Sequence, residues 1–290
     1  MFKEKGKTWV EKVESITVKG TGDLNEDAVI INESLSLYGV VDGVSSLVPY
    51  RSSNNETGGF IAANLVKNYF ESLIELSSLC QCISEANELL RNKMIESHID
   101  LRKKDALWGT ALAIIKIDEQ GVEYMQTGDC MILAVYENGE VRPLTRQQVA
   151  HLEERAFEKW KQGIARGITK RSELMASVID ILKENRYKSN EPGGYGVLNG
   201  EHKALHFLEY GKIHISNLKH LILLTDGLFL PKEIVPQSAL YWEYIANEIL
   251  TKGLQRYTNE LCNLEESDPE CIRYTRFKKA DDKTGIVISL

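Results

Sequence analysis

An α+β fold is predicted for this chain, and three observations carry it. Apolar, β-branched runs of strand length occupy both ends and the middle of the sequence. Between them stand long segments whose apolar residues recur at helical spacing. No internal repeat, low-complexity stretch or linker divides the 290 residues, so sheets and helices are expected to share one domain over 1–290. The order is strands, helices, strands, helices, strand. It suggests sheets closed by the C-terminal strand, with helices outside.

Residues 8–19 carry Val10, Val13, Ile16 and Val18 and few turn formers, which predicts a first strand. Gly20-Thr21-Gly22-Asp23 is a turn. Residues 28–31 and 35–41 read as neighbouring strands with a tight connection at Asn32-Glu33-Ser34. The polar stretch 43–55, with Pro49, is a loop. Ala62, Leu65, Val66, Tyr69, Leu73 and Leu76 then mark a helix over 57–76, and Ile83, Ala86, Leu89, Leu90 and Met94 mark another over 80–98. Four short runs follow at 110–117, 122–127, 131–136 and 141–144. Asn138-Gly139 between the last two is a strong hairpin signal, and the four are expected to form an antiparallel meander. Residues 146–186 are helical, interrupted by Gly163 and Gly167 and rich in both charge signs. A loop spans 190–200. Strands are expected at 203–209, 212–216 and 221–225. One long helix or a helix pair covers 238–264, and 284–289 is the last strand.

Composition narrows the function. Hydrophobic residues at 43% and charged residues at 27% describe a soluble globular protein. A net charge of −7, without a long basic run, argues against nucleic acid as a partner. No run approaches the roughly 18 apolar residues of a membrane helix. Met1 to Lys7 lack the apolar core of a secretory leader. Five irregularly spaced cysteines read as reduced thiols, and the expected location is the cytoplasm. Cys80-Gln81-Cys82 is read as two thiols in a helical segment, because no Cys or His cluster supplies the rest of a zinc site. The six histidines likewise show no ligand spacing; the segment of His202 and His206 alternates like a strand. Trp108 is expected in the core.

The acids carry the chemistry. Glu26-Asp27, Asp42-Gly43, Asp226-Gly227 and Asp281-Asp282 each sit at the edge of an apolar run, and Asp129 occupies a similar turn in Gly128-Asp129-Cys130. Acids beside buried strands are costly without a positive partner. No Lys or Arg lies between Lys19 and Arg51, so that partner is remote in sequence or is a metal ion. Asp-Gly alone is a common turn dipeptide; the ordered combination, each after an apolar run, is what points to a site. Carboxylates and carbonyls suit hard divalent ions such as Mg²⁺ and Mn²⁺. Two such ions bridged by one Asp can lower a water's pKa to roughly 7 and hold both ends of an in-line displacement. No Ser, Cys or His nucleophile motif competes with this reading.

At this point the chain resembles the metal-dependent serine/threonine protein phosphatases of type 2C. The matching stretches are Asn25-Glu26-Asp27-Ala28, Val40-Val41-Asp42-Gly43, Trp108-Gly109-Thr110-Ala111, Thr127-Gly128-Asp129-Cys130, Leu223-Leu224-Thr225-Asp226-Gly227 and Asp281-Asp282-Lys283-Thr284, in the family's order over roughly 15–290. Gly194-Tyr195-Gly196-Val197-Leu198-Asn199-Gly200, followed by Ala204 and Leu205, is similar to the bacterial branch. The resemblance implies a four-layer α-β-β-α sandwich of two antiparallel sheets with the metal site between them. It implies that Asp42 bridges two Mn²⁺ or Mg²⁺ ions, with the Gly43 carbonyl on the second. Asp226 and Asp281 would complete the first ion, and Glu26 and Asp27 would serve the second directly or through water. Asp129 would hold a weaker third ion. A water between the ions would attack phosphoserine or phosphothreonine in a protein substrate, with no phospho-enzyme. The expected partner is that phosphoprotein, with no nucleic acid or membrane, and the expected state is a monomer.

Three departures stand out. The Arg that grips the substrate phosphate is expected about three residues before Asn25, where this chain has Gly22; Lys19 or Arg51 could fold back to replace it. Val44 stands where some members have a His acting as general acid. Ser45-Ser46 replaces glycines. These departures motivate an alternative, a catalytically weak or inactive phosphatase-like protein that binds a partner. A third reading is a hydrolase of a small phosphorylated molecule. Residues 146–186 fall where bacterial relatives carry a flap, with Lys159, Lys161, Arg166, Lys170 and Arg171 either steering a substrate or forming a solvated face.

Overall fold

Ten strands and six α-helices account for most of the chain in a computed structural model that describes residues 9–290. The expectations on Met1 to Lys7, and on a strand beginning at residue 8, lie partly or wholly outside the described residues. One antiparallel sheet contains β1 (Lys12–Val18), β10 (Lys283–Ser289), β9 (Leu218–Leu224), β6 (Met131–Tyr136) and β7 (Val141–Pro143), in that order. The other contains β2 (Asp27–Asn32), β3 (Leu37–Val44), β4 (Gly109–Asp118), β5 (Gly121–Thr127) and β8 (Glu209–Ile213).

The central strands are nearly continuous apolar runs because both their faces are buried, whereas the edge strands β1, β7 and β8 keep exposed positions. Val40 on β3, Ala111, Ala113 and Ile115 on β4, and Ile132 and Ala134 on β6 meet Leu221, Leu223, Ile286 and Ile288 between the sheets. The alternate residues point outward. Val41, Leu112 and Ile114 pack under α1 (Gly58–Ser72) and α2 (Leu79–Glu96), against Ala63, Val66, Phe70 and Ile83. On the other side, Met131, Leu133, Ile222, Leu224 and Val287 pack under α5 (Tyr241–Lys252) and α6 (Leu254–Glu266), against Ile245, Ile249 and Leu261. The result is the four-layer α-β-β-α sandwich. Deleting one of these fully buried Leu or Ile side chains to Ala costs about 2–5 kcal/mol.

Most element expectations hold within two or three residues; helix α1, capped at its N-terminus by Thr57, stops at Ser72, where Leu73 turns extended. Two need correction. The four strands 110–144 are two hairpins in different sheets, because the chain crosses between sheets at Gly128-Asp129. The run 203–209 is a 3₁₀ turn over His202–Phe207, with β8 only at Glu209–Ile213. Its alternation of apolar and polar residues mimics a strand, but Asn87 anchors Glu201 by its carbonyl instead. Of the two forms expected for the C-terminal helical segment, the structure has the pair, broken at Gly253. The Asn138-Gly139 turn does join β6 to β7. Trp108 is fully buried beneath Tyr50.

The 146–186 segment forms two antiparallel helices, α3 (Ala150–Ala165) and α4 (Arg171–Tyr187). They enclose a separate small core of Ala156, Trp160, Leu174 and Val178, completed by Cys271 and Phe277 from the segment preceding β10. Gly163 lies inside α3, where its missing side chain lets Leu174 approach. The expected interruption is therefore a packing device. Trp160 Nε1 donates to the Cys271 carbonyl at 3.0 Å, and Phe157 stacks on Phe277 with ring centres 4.3 Å apart. This helix pair thus braces the stretch that delivers Asp281.

Candidate active site

The antiparallel register of β2 and β3 places Asp27 opposite Asp42. Asp226 begins a 3₁₀ turn at the end of β9, and Asp281 immediately precedes β10, its neighbour in the sheet. Asp129 occupies the crossing from β5 to β6. Five chain segments from two sheets therefore deliver acids to one cleft of about 960 Å³, lined by Glu26, Asp42, Gly43, Asp129, Asp226 and Asp281. Asp27 does not line the cleft. It is buried behind it, where Thr225 Oγ1 donates to its Oδ2 at 2.7 Å.

Two glycines permit this closeness. A Cβ on Gly43 would lie 2.4 Å from the Gly59 carbonyl and 2.6 Å from that of Glu26. One on Gly227 would lie 1.8 Å from the Asp282 carbonyl. Neither gap admits a methyl group. The segments are further tied by main-chain bonds. Gly43 N donates to Glu26 O at 2.9 Å, and Thr225 N to Thr284 O at 2.9 Å.

Crowding the acids together costs free energy. Burial first, then Asp27, Asp226 and Asp129, pushes the Asp42 carboxyl well above the usual carboxylate range. Asp226 is pushed well up by burial and by Asp281 and Asp129. Burial raises Asp129, with Asp281 adding to it. Asp27 rises to about 8, mainly by burial; the Thr225 hydroxyl opposes the rise, and Asp281 and Asp282 reinforce it. Glu153, projecting from α3, joins the group and is lifted to about 7 by burial and by the charges of Asp129 and Asp281.

The cluster is not a ready-made cage. Among the described residues no three acidic, His or Cys side chains converge on one point close enough to enclose an ion. Glu26 is engaged from the side of α1: Ser45 Oγ donates to its Oε1 at 2.7 Å, and the capping Thr57 hydroxyl donates to the same oxygen. The Ser45 substitution thus falls directly on a predicted ligand. Asp281 Oδ1 accepts from Lys278 Nζ at 2.6 Å. The donor set nonetheless fits a hard divalent ion. It is all oxygen, it is mutually repelling, and Asp226 Oδ1 is buried with no hydrogen-bond partner.

Sequence reasoning missed several contributors. Asp282 is a fastener: its carboxylate accepts from the Gly20 and Glu26 main-chain N–H groups, both at 2.7 Å, and locks the turn before β2 onto β10. Thr225 and Thr284 link β9, β10 and Asp27 through one hydroxyl. Lys283 is fully buried and pairs with Glu265 at 2.7 Å. Lys278, remote in sequence, pairs with Asp281 and brings a positive charge to bear on Asp27 and Asp42. Threonine hydroxyls beside predicted ligands were the available clue. The Lys278 contact had none, since its place depends on the bracing of 270–280. Lys19 and Arg51 turn to the rim instead, both onto Asp23, and do not line the cleft. Of the histidines, His151 alone reaches the cleft, bonded to the Gly193 carbonyl at 2.9 Å. The cysteines are all free.

No curated protein sequence matches the chain. Its fold matches Stp1, a serine/threonine phosphatase from Staphylococcus aureus, with TM-score 0.55 at 14% identity, over 100% of this chain and 98% of that one. PppA from Pseudomonas aeruginosa matches with TM-score 0.57 at 14% identity, over 96% of each chain. The catalytic domain of the serine/threonine protein phosphatase PstP, solved in complex with two manganese ions, matches with TM-score 0.52 at 15% identity, over 96% of this chain and 97% of that one. These likenesses establish the shared sandwich. The sequence model described as protein phosphatase 2C matches residues 19–264, a span that includes Glu26, Asp42, Asp129 and Asp226 of the cleft. With most of its length covered by that match, the chain belongs to the protein phosphatase 2C family.

Proposed function

We propose that this protein hydrolyses phosphoserine and phosphothreonine in protein substrates with two divalent ions, Mn²⁺ or Mg²⁺, held in the acidic cleft. The observation that carries the proposal is the delivery of Asp42, Asp129, Asp226 and Asp281 to one cleft between the sheets, with a buried Asp226 oxygen left unpartnered. Such crowding is unfavourable unless cations offset it.

In this reading Asp42, the Gly43 carbonyl, Asp226 and Asp281 would hold the principal ions, with Glu26 contributing at the second, Asp27 supporting it from behind the cleft and Asp129 holding a weaker third. When bound, the ions supply Lewis-acid activation of water and charge stabilisation of the phosphoryl group. The chain's own residues position and insulate. The Thr225 hydroxyl fixes the Asp27 carboxylate, and Asp282 fixes the main chain at Glu26. Ser45 and Thr57 hold the Glu26 carboxylate against the N-terminus of α1, where the helix dipole favours a negative charge. Helices α3 and α4 wall the cleft through Glu153, Phe157 and Arg186, in the place of the predicted flap.

The test is phosphate release from phosphothreonine peptides by purified protein in millimolar Mn²⁺ and after chelation. Turnover that requires the metal supports the proposal, and no turnover with full metal binding refutes it. A second reading has one observation in its favour: Glu26 is satisfied by Ser45 and Thr57, and the Arg position is Gly22. A phosphatase-like binding protein would then associate tightly with a partner and show no metal-dependent turnover. Nucleotide and sugar phosphates in the same assay separate a small-molecule hydrolase. No helix of the described residues is long and apolar enough to cross a membrane. A monomer working in the cytoplasm, with reduced thiols, completes the proposal.

A further inference from the structure

The phosphate-gripping position holds Gly22, and the nearby cations do not replace it. Arg51 is 2.7 Å from Asp23 Oδ2 and donates to the Asn55 carbonyl, and Lys19 donates to the Asp23 carbonyl. Five cations line the cleft: Lys161, Arg186, Lys232, Arg276 and Lys278. Arg276 is committed to Asp268 and to main-chain carbonyls. Lys161 faces Glu233 at 3.8 Å. The charge of Arg186 bears on Asp129 alone among Asp42, Asp129, Asp226 and Asp281, and that of Lys232 on Glu153 of α3. Lys278 differs from all four, because its charge bears on Asp281, Asp226 and Asp42, and on Asp27 and Asp129 as well.

We propose that Lys278 binds the phosphoryl group of the substrate, in the role that an Arg at position 22 would fill. The inference rests on the phosphatase reading above. Its geometry is that of a fixed base with a free tip. The main chain around Lys278 is held by Arg276 on Asp268, by Phe277 under Phe157 and by the Trp160 bond to Cys271. The side chain itself is 65% exposed at the mouth of the cleft. The turn that carries Gly22 lies directly against the same stretch. Thr21 donates to the Ala280 carbonyl through both its main-chain N–H and its hydroxyl, and Gly20 abuts the Asp281 main chain. Lys278 therefore reaches the cleft from next to where the Arg would start. Its ammonium is a compact charge with three donors on a flexible stem. Now resting on one oxygen of Asp281, it can donate equally to a phosphoryl oxygen.

The test compares Lys278→Met, which keeps most of the stem, with Lys278→Arg, which restores the charge. Calorimetry on Mn²⁺-loaded protein reads the Kd of inorganic phosphate, and a separate titration reads Mn²⁺ affinity. Kinetics on a phosphothreonine peptide read KM and kcat. Lys278→Met is expected to weaken phosphate binding and raise KM by about tenfold, the loss of one charge-assisted hydrogen bond. Lys278→Arg is expected to recover most of that loss, and Mn²⁺ affinity is expected not to fall in either variant. An unchanged phosphate Kd in Lys278→Met overturns the inference. So does a parallel loss of Mn²⁺ affinity, which would assign Lys278 to building the acid site. If the wild type turns over no phosphopeptide, the phosphatase reading fails; the phosphate Kd values still decide for or against Lys278, and a wild type that binds no phosphate decides against it.

Discussion

Replacing Asp27 with Asn tests whether the acids under the cleft are a stored cost that cations relieve. The Asp27 carboxyl is 6% exposed, and burial lifts it from 3.8 to about 8. An acid raised on folding binds more protons folded than unfolded between those two values. Its ionisation therefore leaves stability untouched below about pH 4, erodes it as the pH climbs, and exacts the full cost above about pH 8. At 1.36 kcal/mol per pH unit the full cost is about 6 kcal/mol. Asn removes the charge and still accepts from Thr225, whose pull on the ionised carboxylate is already contained in the value of about 8. At pH 8, where the folded acid is half ionised, the expectation for metal-free protein is a gain of about 5 kcal/mol, or about 10 °C in Tm at this chain length. At pH 5 the gain should fall to about 2 kcal/mol, because folded Asp27 is then protonated and only its ionisation in the unfolded chain separates the two proteins. Thermal melts in chelator at both pH values measure this. The Mn²⁺-induced rise in Tm should be larger in the wild type at pH 8. A metal-free Asp27→Asn that melts below the wild type at pH 8 would refute the reasoning, since it would show the carboxylate to be well solvated or already paired.

Other perturbations probe the rest of the site. Asp42→Asn should reduce metal-dependent turnover by roughly 10²–10³-fold, with Mn²⁺ binding lost at both principal sites by calorimetry. Gly22→Arg should lower KM for a phosphopeptide by up to about tenfold; a Cβ there meets only the Leu24 carbonyl, at a tight 3.3 Å that a small shift of this turn must relieve. Gly227→Ala should destabilise the fold by more than about 3 kcal/mol, read from the urea midpoint, because its methyl would overlap the Asp282 carbonyl.

Strands, helices and their order were legible because burial on both sheet faces demands long apolar runs, and α1 and α2 show clear helical periods. The errors fall where local pattern and tertiary demand diverge. Residues 203–209 alternate like a strand, yet side-chain anchors from α2 and the adjoining loop settle them as a 3₁₀ turn. The supposed meander splits because Gly128-Asp129 carries the chain from one sheet to the other, and strand chemistry contains no record of which sheet a strand joins. The acids were legible as turn-edge residues. Their partners were not: Thr225, Ser45, Thr57 and Asp282 act across 19 to 256 residues of sequence.

By itself the sequence determined the α+β class, the helix and strand content, and the set of acids that a hard cation would need. Those properties are local, written in periodicity and in the chemistry of single turns. Tertiary structure decided which acids meet, that Asp27 stands behind the cleft rather than in it, and that Lys278 hangs over it. Lys278 owes its place to a helix pair more than a hundred residues earlier, through Trp160, Phe157 and the 270–280 stretch they brace. Long-range packing of that kind leaves no periodic trace in the chain, because each contact joins two residues that neither neighbour nor repeat one another.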